Sequence, residues 1–266
     1  MQICIGSTMI TSTANKQVKN IIKLTTKAKE RQTQHVFLAE GIRIFEEIPE
    51  ECIQDIYVSE SFLQKKENTE KLKGMEYESV SDPVFLRMSD TKTPQGILCV
   101  VRQPEYKLED LLRQEQTHLL ILEGIQDPGN LGTIFRTGEG AGITGIIMSG
   151  CADLFSPKTV RSTMGSICRV PFYVSGQLQE TLLILKEKKI TVYAAHLKGS
   201  QYYDALDYRG ATAFLIGSEA NGLTEKTLQQ ADVCLRIPMG GKLESLNAAM
   251  AAGILMYEVN RQRRGT

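Results

Sequence analysis

The second half of the chain alternates short apolar runs with segments in which apolar residues recur every three or four positions. Such runs are typical of buried strands, and such spacing is typical of helices that cover a sheet. The predicted strands are HLLILEG, GIIMS, RVPFYV, TVYAAHL, TAFLIGS and VCLRIP. The predicted helices are TIFRTGEGA, PKTVRSTMGS, LQETLLILKEKK, TEKTLQQA and SLNAAMAAGILMYEVNRQR. This alternation predicts an α/β domain over residues 118–266, with a parallel sheet, helices on both faces and ligands at the carboxyl ends of the strands.

Residues 1–104 show a less regular pattern, which predicts a smaller α/β unit. A helix is expected over residues 14–29, and HVFLAEG, CIQDIYVS and GILCVVR have the composition of strands. Pro104 ends the last of these strands, because proline has no backbone N–H to donate. Residues 105–117 are largely polar and are predicted to form a linker with one short helix.

The composition is that of an ordinary globular protein, with 42% hydrophobic and 23% charged residues. The chain has no run of about 18 apolar residues and no basic start followed by an apolar stretch, so we expect a cytoplasmic protein without a membrane anchor. The three histidines (His35, His118 and His196) lie at the edges of predicted strands, and we expect no catalytic role for them. The cysteines have no CxxC pair, so we expect reduced thiols and no metal site. They are Cys4, Cys52, Cys99, Cys151, Cys168 and Cys234.

Charge is unevenly distributed, although the formal net charge is zero. Residues 11–31 contain six basic side chains and one acidic side chain, which gives this segment a net charge of +5. Lys16, Lys19, Lys23 and Lys27 recur at steps of three and four, so they share one face of a helix. Two interpretations remain open: contact with nucleic-acid phosphates, or an ordinary solvated helix surface.

The segment GAGITG, residues 140–145, matches the GxGxxG pattern of dinucleotide-binding loops. In those loops the glycines lie between a strand and the helix that follows it. Here the predicted helix precedes the glycines and the predicted strand follows them. The order therefore argues against a dinucleotide-dependent oxidoreductase.

Three strand-to-loop junctions in the second half carry unusual polar residues. They are DPGNLGTIFRTG at 127–138, LIGSEANGL at 215–223 and RIPMGGKLESLNAAMAAG at 236–253. Taken singly, each residue has an ordinary explanation: Asn130 or Ser245 could cap a helix, and Glu219 could be an exposed loop acid. Their joint occurrence at strand ends indicates a ligand site.

These three segments resemble, in order and spacing, the three motifs of the SpoU-type (TrmH-like) RNA 2′-O-ribose methyltransferases of the SPOUT superfamily. The segments NKQVKNIIKL, VFLAEGIRIFEE and SDTKTPQGILCVV are similar to the N-terminal substrate-binding domain of that family. The resemblance implies a C-terminal domain with a deep trefoil knot, preceded by a small α/β RNA-binding domain similar to a ribosomal protein. One departure is NAAMAAG at 247–253, where the family has a valine-serine stretch after the asparagine.

The resemblance also implies a catalytic set of five residues. In it, Arg136 acts on the ribose hydroxyl, Asn130 orients that hydroxyl, and Glu219, Ser245 and Asn247 complete the site. Two roles for Arg136 stay open: a base, or a cation that stabilises the developing alkoxide or acts through an RNA phosphate. Guanidinium keeps its proton under ordinary conditions, which favours the cation.

S-adenosylmethionine is the cofactor that the resemblance implies, with Gly217, Ile237, Leu246 and Met239 as its contacts. The implied partner is RNA, and ribosomal RNA is favoured over transfer RNA because the N-terminal domain is present. Candidate RNA contacts are Lys16, Lys19, Lys23 and Arg161.

The family is dimeric, and the small residues in the last helix suit a homodimer interface, although burial within one chain would explain them equally well. Two other functions remain open: a transfer-RNA 2′-O-methyltransferase, and a noncatalytic RNA-binding protein of ribosome assembly with the same fold.

Overall fold

The computed structural model describes residues 8–264, which form two units. The helices are α1 (Lys16–Thr26), α2 (Ala28–Gln34), α3 (Ile42–Glu47), α4 (Glu60–Leu63), α5 (Lys66–Lys71), α6 (Asp82–Met88), α7 (Leu108–Leu111), α8 (Pro128–Ala141), α9 (Pro157–Thr163), α10 (Leu178–Glu187), α11 (Glu225–Leu228) and α12 (Ala248–Arg264). The strands are β1 (Val36–Glu40), β2 (Ile53–Ser59), β3 (Glu78–Val80), β4 (Ile97–Arg102), β5 (His118–Glu123), β6 (Gly145–Ser149), β7 (Phe172–Val174), β8 (Thr191–Ala195), β9 (Gln201–Tyr202), β10 (Thr212–Gly217) and β11 (Val233–Arg236).

The first unit is built on a mixed four-stranded sheet in the order β1-β4-β2-β3. Strand β4 is antiparallel to β1 and to β2, whereas β2 and β3 are parallel. The apolar face of α1 packs into the core of this unit through Val18, Ile21 and Leu24, which are buried. This burial leaves the lysines of α1 on the solvent side.

The helix predicted over residues 14–29 is interrupted at Lys27. Asn15 caps α1, its side chain accepting hydrogen bonds from the backbone N–H groups of Gln17 and Val18. Lys27 has an extended backbone, with φ −122° and ψ 111°, and α2 starts at Ala28. Lys27 is therefore outside the helix, and the predicted face of four lysines is reduced to three.

The first unit contains a helix that the sequence assigned to the second domain. Residues 155–165 cluster with residues 8–104, and α9 in this segment packs beside β1. The ring of Phe155 stacks on Phe37, with 5.4 Å between centroids. The prediction of one continuous domain over residues 118–266 is therefore corrected for this segment.

The second unit is built on seven parallel strands in the order β7-β6-β5-β10-β8-β11-β9. Its central strands are buried almost completely, as their continuous apolar runs predicted. Strand β9 was not predicted, because its two residues, Gln201 and Tyr202, are exposed and carry no periodic signal. The parallel α/β architecture is confirmed, and the trefoil knot stays a prediction.

The segment predicted as a linker is part of the second unit. Leu108 and Leu111 of α7 are buried in the core that Leu119, Ile121 and other strand residues form. A carbon atom added at Gly145 would lie 2.5 Å from Leu111, so β6 has room for α7 only because this position is glycine. The segment 105–117 is therefore polar apart from a few residues, and two of these, Leu108 and Leu111, attach it to the core of the second unit.

The glycines of GAGITG end a helix, as their order predicted. Gly140 lies in the last turn of α8, and Gly142 follows the helix in the left-handed conformation, with φ +73°. Left-handed glycine is a common helix terminator. Gly145 then starts β6. The segment therefore connects α8 to β6, and its glycines do not open a helix as they do in a dinucleotide-binding loop.

Candidate active site

The three motif-bearing junctions follow β5, β10 and β11. Strands β5 and β10 are neighbours, and β8 separates β10 from β11. Because all of these strands are parallel, their carboxyl ends lie at one edge of the sheet. This is the edge at which open parallel sheets bind ligands.

The first junction is organised by a helix cap that the sequence interpretation did not identify. Asp127 precedes Pro128 and α8, and its carboxylate accepts a hydrogen bond of 2.8 Å from the backbone N–H of Asn130. Asn130 therefore lies inside the first turn, and the interpretation of Asn130 as the cap is wrong. An Asp-Pro pair before a helix is a recognisable signal for this arrangement. Its consequence is that the Asn130 side chain is free to make contacts outside the helix.

Asn130 connects residues from all three junctions. Its side-chain N–H donates a hydrogen bond to the carboxylate of Glu219 in the second junction. Its side-chain oxygen accepts a hydrogen bond of 3.0 Å from the amide of Asn247 in the third junction. Residues 89 and 117 positions away in sequence thus converge on one asparagine. We call these three residues the polar triad.

Asn247 also fixes the start of the last helix. Its side-chain oxygen accepts hydrogen bonds from the backbone N–H groups of Ala249, at 3.0 Å, and Met250, at 3.3 Å. The cap of this helix is therefore Asn247, and the interpretation of Ser245 as the cap is wrong. The amide oxygen of Asn247 is held by the helix and its NH₂ group donates to Asn130, so the orientation of this amide is set.

The second junction is a tight turn that presents Glu219. The backbone of Ser218 pairs with that of Gly222, whose N–H donates a 2.8 Å hydrogen bond to the Ser218 carbonyl. Gly222 has φ +66°, which favours glycine. A side-chain carbon at Gly217 would lie 2.2 Å from the carbonyl carbon of Gly222. Position 217 must therefore be glycine for the turn to pack against the end of β10.

Two of the five predicted catalytic residues lie outside the polar triad. Arg136 is exposed on α8, and its position six residues after Asn130 places it about 9 Å further along the helix axis. Within residues 8–264 its guanidinium makes no hydrogen bond and no ion pair. Ser245 is exposed in the third junction, and the described part of the chain gives its hydroxyl no hydrogen bond. Both side chains are available to a ligand.

The predicted cofactor contacts are half-buried. Ile237, Met239 and Leu246 each expose part of an apolar side chain in the segment between β11 and α12, and Gly217 is half-buried at the end of β10. Leu243, in the same segment, is 74% exposed. Apolar side chains in this state gain free energy when a ligand covers them.

The predicted RNA contacts fall into two classes. Lys16, Lys19 and Lys23 are exposed on one helix. Arg161, by contrast, forms a 2.7 Å ion pair with Asp90 inside the first unit, and its Nη1 is buried. The structure therefore gives Arg161 a role in holding α9, which competes with the predicted phosphate contact.

The remaining reactive side chains do not extend the site. Burial raises the pKa of the Cys99 thiol to about 12, and it lowers the pKa of His118 to about 3, so His118 is uncharged near neutral pH. Within residues 8–264, no group of three or more histidine, cysteine or acidic side chains is placed to hold a metal ion, and no helix is both long and apolar enough to cross a membrane. Cys4 lies outside the described residues. The side chains at the strand ends described above offer hydrogen bonds, the carboxylate of Glu219 and the nearby cation of Arg136.

Comparison with known proteins places this geometry in a family. The model of the SpoU rRNA Methylase family matches residues 117–257, and that of the MRM3-like substrate binding domain matches residues 15–99. The 23S rRNA (guanosine(2553)-2′-O)-methyltransferase RlmP of Bacillus subtilis is 34% identical over 254 residues, covering 94% of this chain and 98% of that protein. The 23S rRNA (guanosine-2′-O-)-methyltransferase RlmB of Xylella fastidiosa strain 9a5c is 34% identical over 204 residues, covering 74% and 82%.

A solved structure is similar over nearly the whole chain. The AdoMet-bound rRNA methyltransferase from Sinorhizobium meliloti superposes with a TM-score of 0.81 and 32% identity, covering 96% of this chain and 97% of that one. The similarity therefore includes both units as well as the three junctions.

Proposed function

Because this chain belongs to the SpoU rRNA methylase family, we propose that it transfers a methyl group from S-adenosylmethionine to a ribose 2′-hydroxyl of 23S ribosomal RNA in the cytoplasm. The observation that carries the proposal is the polar triad at the carboxyl ends of the parallel strands. It is formed by three of the five residues that the motif resemblance assigned to the catalytic site, and hydrogen bonds within one chain bring these three together.

S-adenosylmethionine, when bound, supplies a methyl group on a sulfonium that already carries its leaving group. The protein must then align the hydroxyl with that methyl group, let the hydroxyl proton leave to solvent, and stabilise the charge that develops on the oxygen. In the proposed arrangement the side chains of Asn130 and Glu219 orient the ribose hydroxyl. Arg136 carries the positive charge that the developing alkoxide or a neighbouring phosphate requires, and Ser245 adds a hydroxyl. Asn247 holds the amide of Asn130 in position.

The residues between β11 and α12 fit the proposed cofactor. Ile237, Met239 and Leu246 present half-buried apolar side chains, which suit the face of an adenine ring. Gly217, at the end of β10, lets the following turn pack against the strand, and its own half-buried backbone is the part that we propose contacts the cofactor. These four residues remain the proposed cofactor contacts.

The proposed RNA surface is the exposed side of α1. Lys16, Lys19 and Lys23 can reach successive phosphates, because their side chains lie on the side of the helix opposite its buried face. Arg161 is a secondary candidate, since its Nη2 is already paired with Asp90.

We also propose that the protein is a homodimer in which α12 contributes to the interface. The small residues Ala248, Ala249 and Ala252 are buried within the chain, so they do not by themselves argue for a partner. On the outer side of the same helix, however, Met250 is 60% exposed and Tyr257 is 48% exposed. Seven residues separate them, which is two helical turns, so they share a face that a second copy would cover.

The decisive experiment offers unmodified 23S ribosomal RNA and, separately, transfer RNA with tritiated S-adenosylmethionine. We expect label in the ribosomal RNA, at a position resistant to alkaline cleavage. Label only in transfer RNA would establish the transfer-RNA function instead. Binding of RNA without binding of S-adenosylmethionine would establish the noncatalytic alternative.

A further inference from the structure

The turn that presents Glu219 is tied to the neighbouring strand by a carboxylate. Glu123 is the last residue of β5 and lies beside Gly217 of β10 in the sheet register. One oxygen of its carboxylate accepts hydrogen bonds from the hydroxyls of Thr224, at 2.9 Å, and Thr227, at 2.8 Å. The other oxygen accepts a 2.9 Å hydrogen bond from the backbone N–H of Thr224. Both oxygens are therefore used inside the protein.

These bonds fix the far end of the turn. The turn leaves β10 at Gly217 and ends at Thr224, which caps α11. The near end is held by the pairing of β10 with β5, and the far end by Glu123, so both ends of the turn are attached to the same strand. The strength of this attachment comes from the charge of the carboxylate, because hydrogen bonds to ionised acceptors are stronger than neutral ones.

We infer that Glu123 is a positioning residue, whose carboxylate acts through Thr224 to hold Glu219 against Asn130. Its effect on catalysis rests on the proposed function, whereas its effect on the turn does not. An acid at the end of a strand carries no motif signal, which is why the sequence interpretation missed it. A carboxylate accepts from all three donors with two charged oxygens, whereas an amide of the same shape has a single accepting oxygen and no charge, so its bonds to the turn are weaker.

The test replaces Glu123 by glutamine and measures kcat and KM for methyl transfer to RNA. We expect kcat of Glu123→Gln to fall about 10- to 100-fold, the scale of loss that a displacement of about 1 Å in an active site causes, with KM for RNA nearly unchanged. Glu225→Gln is the matched control, because Glu225 is in α11 and exposed, and its carboxylate has no hydrogen bond within residues 8–264. Equal kcat values for the two variants would overturn the inference.

A double variant tests whether Glu123 acts through Glu219. If it does, adding Glu123→Gln to Glu219→Gln causes no further loss of kcat beyond that of Glu219→Gln alone. A further loss as large as that of Glu123→Gln in the otherwise unchanged protein would show that the two residues act independently and would overturn the inference.

Hydrogen exchange tests the attachment without any reference to activity. We expect amides of residues 218–224 to exchange faster in Glu123→Gln than in the unchanged protein, with no such change in Glu225→Gln. If Glu123→Gln does not fold, Thr227→Val replaces it in this test. That variant keeps the side-chain shape and removes one of the three hydrogen bonds, so we expect a smaller increase in the exchange rate. If the folded variants exchange these amides at the same rate as the unsubstituted protein, the inference is overturned. If the unsubstituted protein transfers no methyl group to RNA, only the proposed function is overturned.

Discussion

Replacing Gly217 by alanine tests how closely the site depends on one backbone contact. The added carbon would lie 2.2 Å from the carbonyl carbon of Gly222 and 2.4 Å from the backbone nitrogen of Leu223. Carbon atoms normally approach to about 3.5–4.0 Å, so the turn must move by about 1 Å or more. Because the obstructing atoms are backbone, no side-chain rotation relieves the overlap. Glu219, two residues further along, must move with the turn.

The expected cost has two parts. Overpacking of this kind destabilises a folded protein by about 1–3 kcal/mol, which corresponds to a few degrees or more in melting temperature for a chain of this size. Displacement of Glu219 by about 1 Å reduces methyl transfer about 100-fold. The assays are thermal unfolding followed by circular dichroism, and turnover at a temperature at which the variant is folded.

Gly176→Ala is the matched control for this substitution. Gly176 lies in the same unit, before α10, and an added carbon there meets no atom within 4 Å. We expect its stability to be unchanged or slightly improved, because alanine restricts the unfolded chain more than glycine does. If Gly217→Ala melts and turns over like Gly176→Ala, then the turn has room that the structure does not show, and the steric reasoning is refuted.

Three further predictions address the charges of the protein. Arg136→Ala should bind S-adenosylmethionine normally and lose methyl transfer, measured by calorimetry and by label in RNA; near-normal turnover would remove Arg136 from the chemistry. Replacing Lys16, Lys19 and Lys23 by glutamate should weaken RNA binding and flatten its dependence on salt, and an unchanged salt slope would make the α1 surface an ordinary solvated face. Burial lowers the pKa of His118 from 6.5 to about 3. As the pH falls, the unfolded chain therefore takes up a proton before the folded protein does. The free energy of unfolding should decrease below pH 6.5, by about 2 kcal/mol at pH 5. Denaturant unfolding of His118→Asn should lack this part of the pH dependence, and an equal slope in both proteins would contradict the assignment.

The sequence by itself determined the parallel α/β architecture of the second unit and which residues are candidates for its site. The apolar runs of β5, β6 and β10 have to fill a sheet that is covered on both faces, and this requirement is visible in each run without knowledge of its neighbours. The position of the GAGITG glycines between a helix and a strand was also readable, since helix termination is a local property. The motif resemblance supplied Asn130, Glu219 and Asn247 as candidates and indicated the family, and the comparisons show that the chain belongs to that family.

Only the tertiary structure decided how these residues are held. The burial of Leu108 and Leu111 and the placement of α9 in the first unit each depend on packing against residues far away in sequence. The same is true of the polar triad, which joins loops 89 and 117 residues apart.

The helix caps and the Glu123 attachment were missed for different reasons. Asp127 and Asn247 cap helices through bonds to residues two or three positions along the chain, a local signal that the sequence contains. The partners of Glu123 are 101 and 104 residues away, so they depend on where the chain returns. Periodicity records whether a residue faces a core or solvent, and it contains no information about the partner of a polar side chain. The sequence therefore determined which elements and side chains are present, and the tertiary structure decided which of them meet.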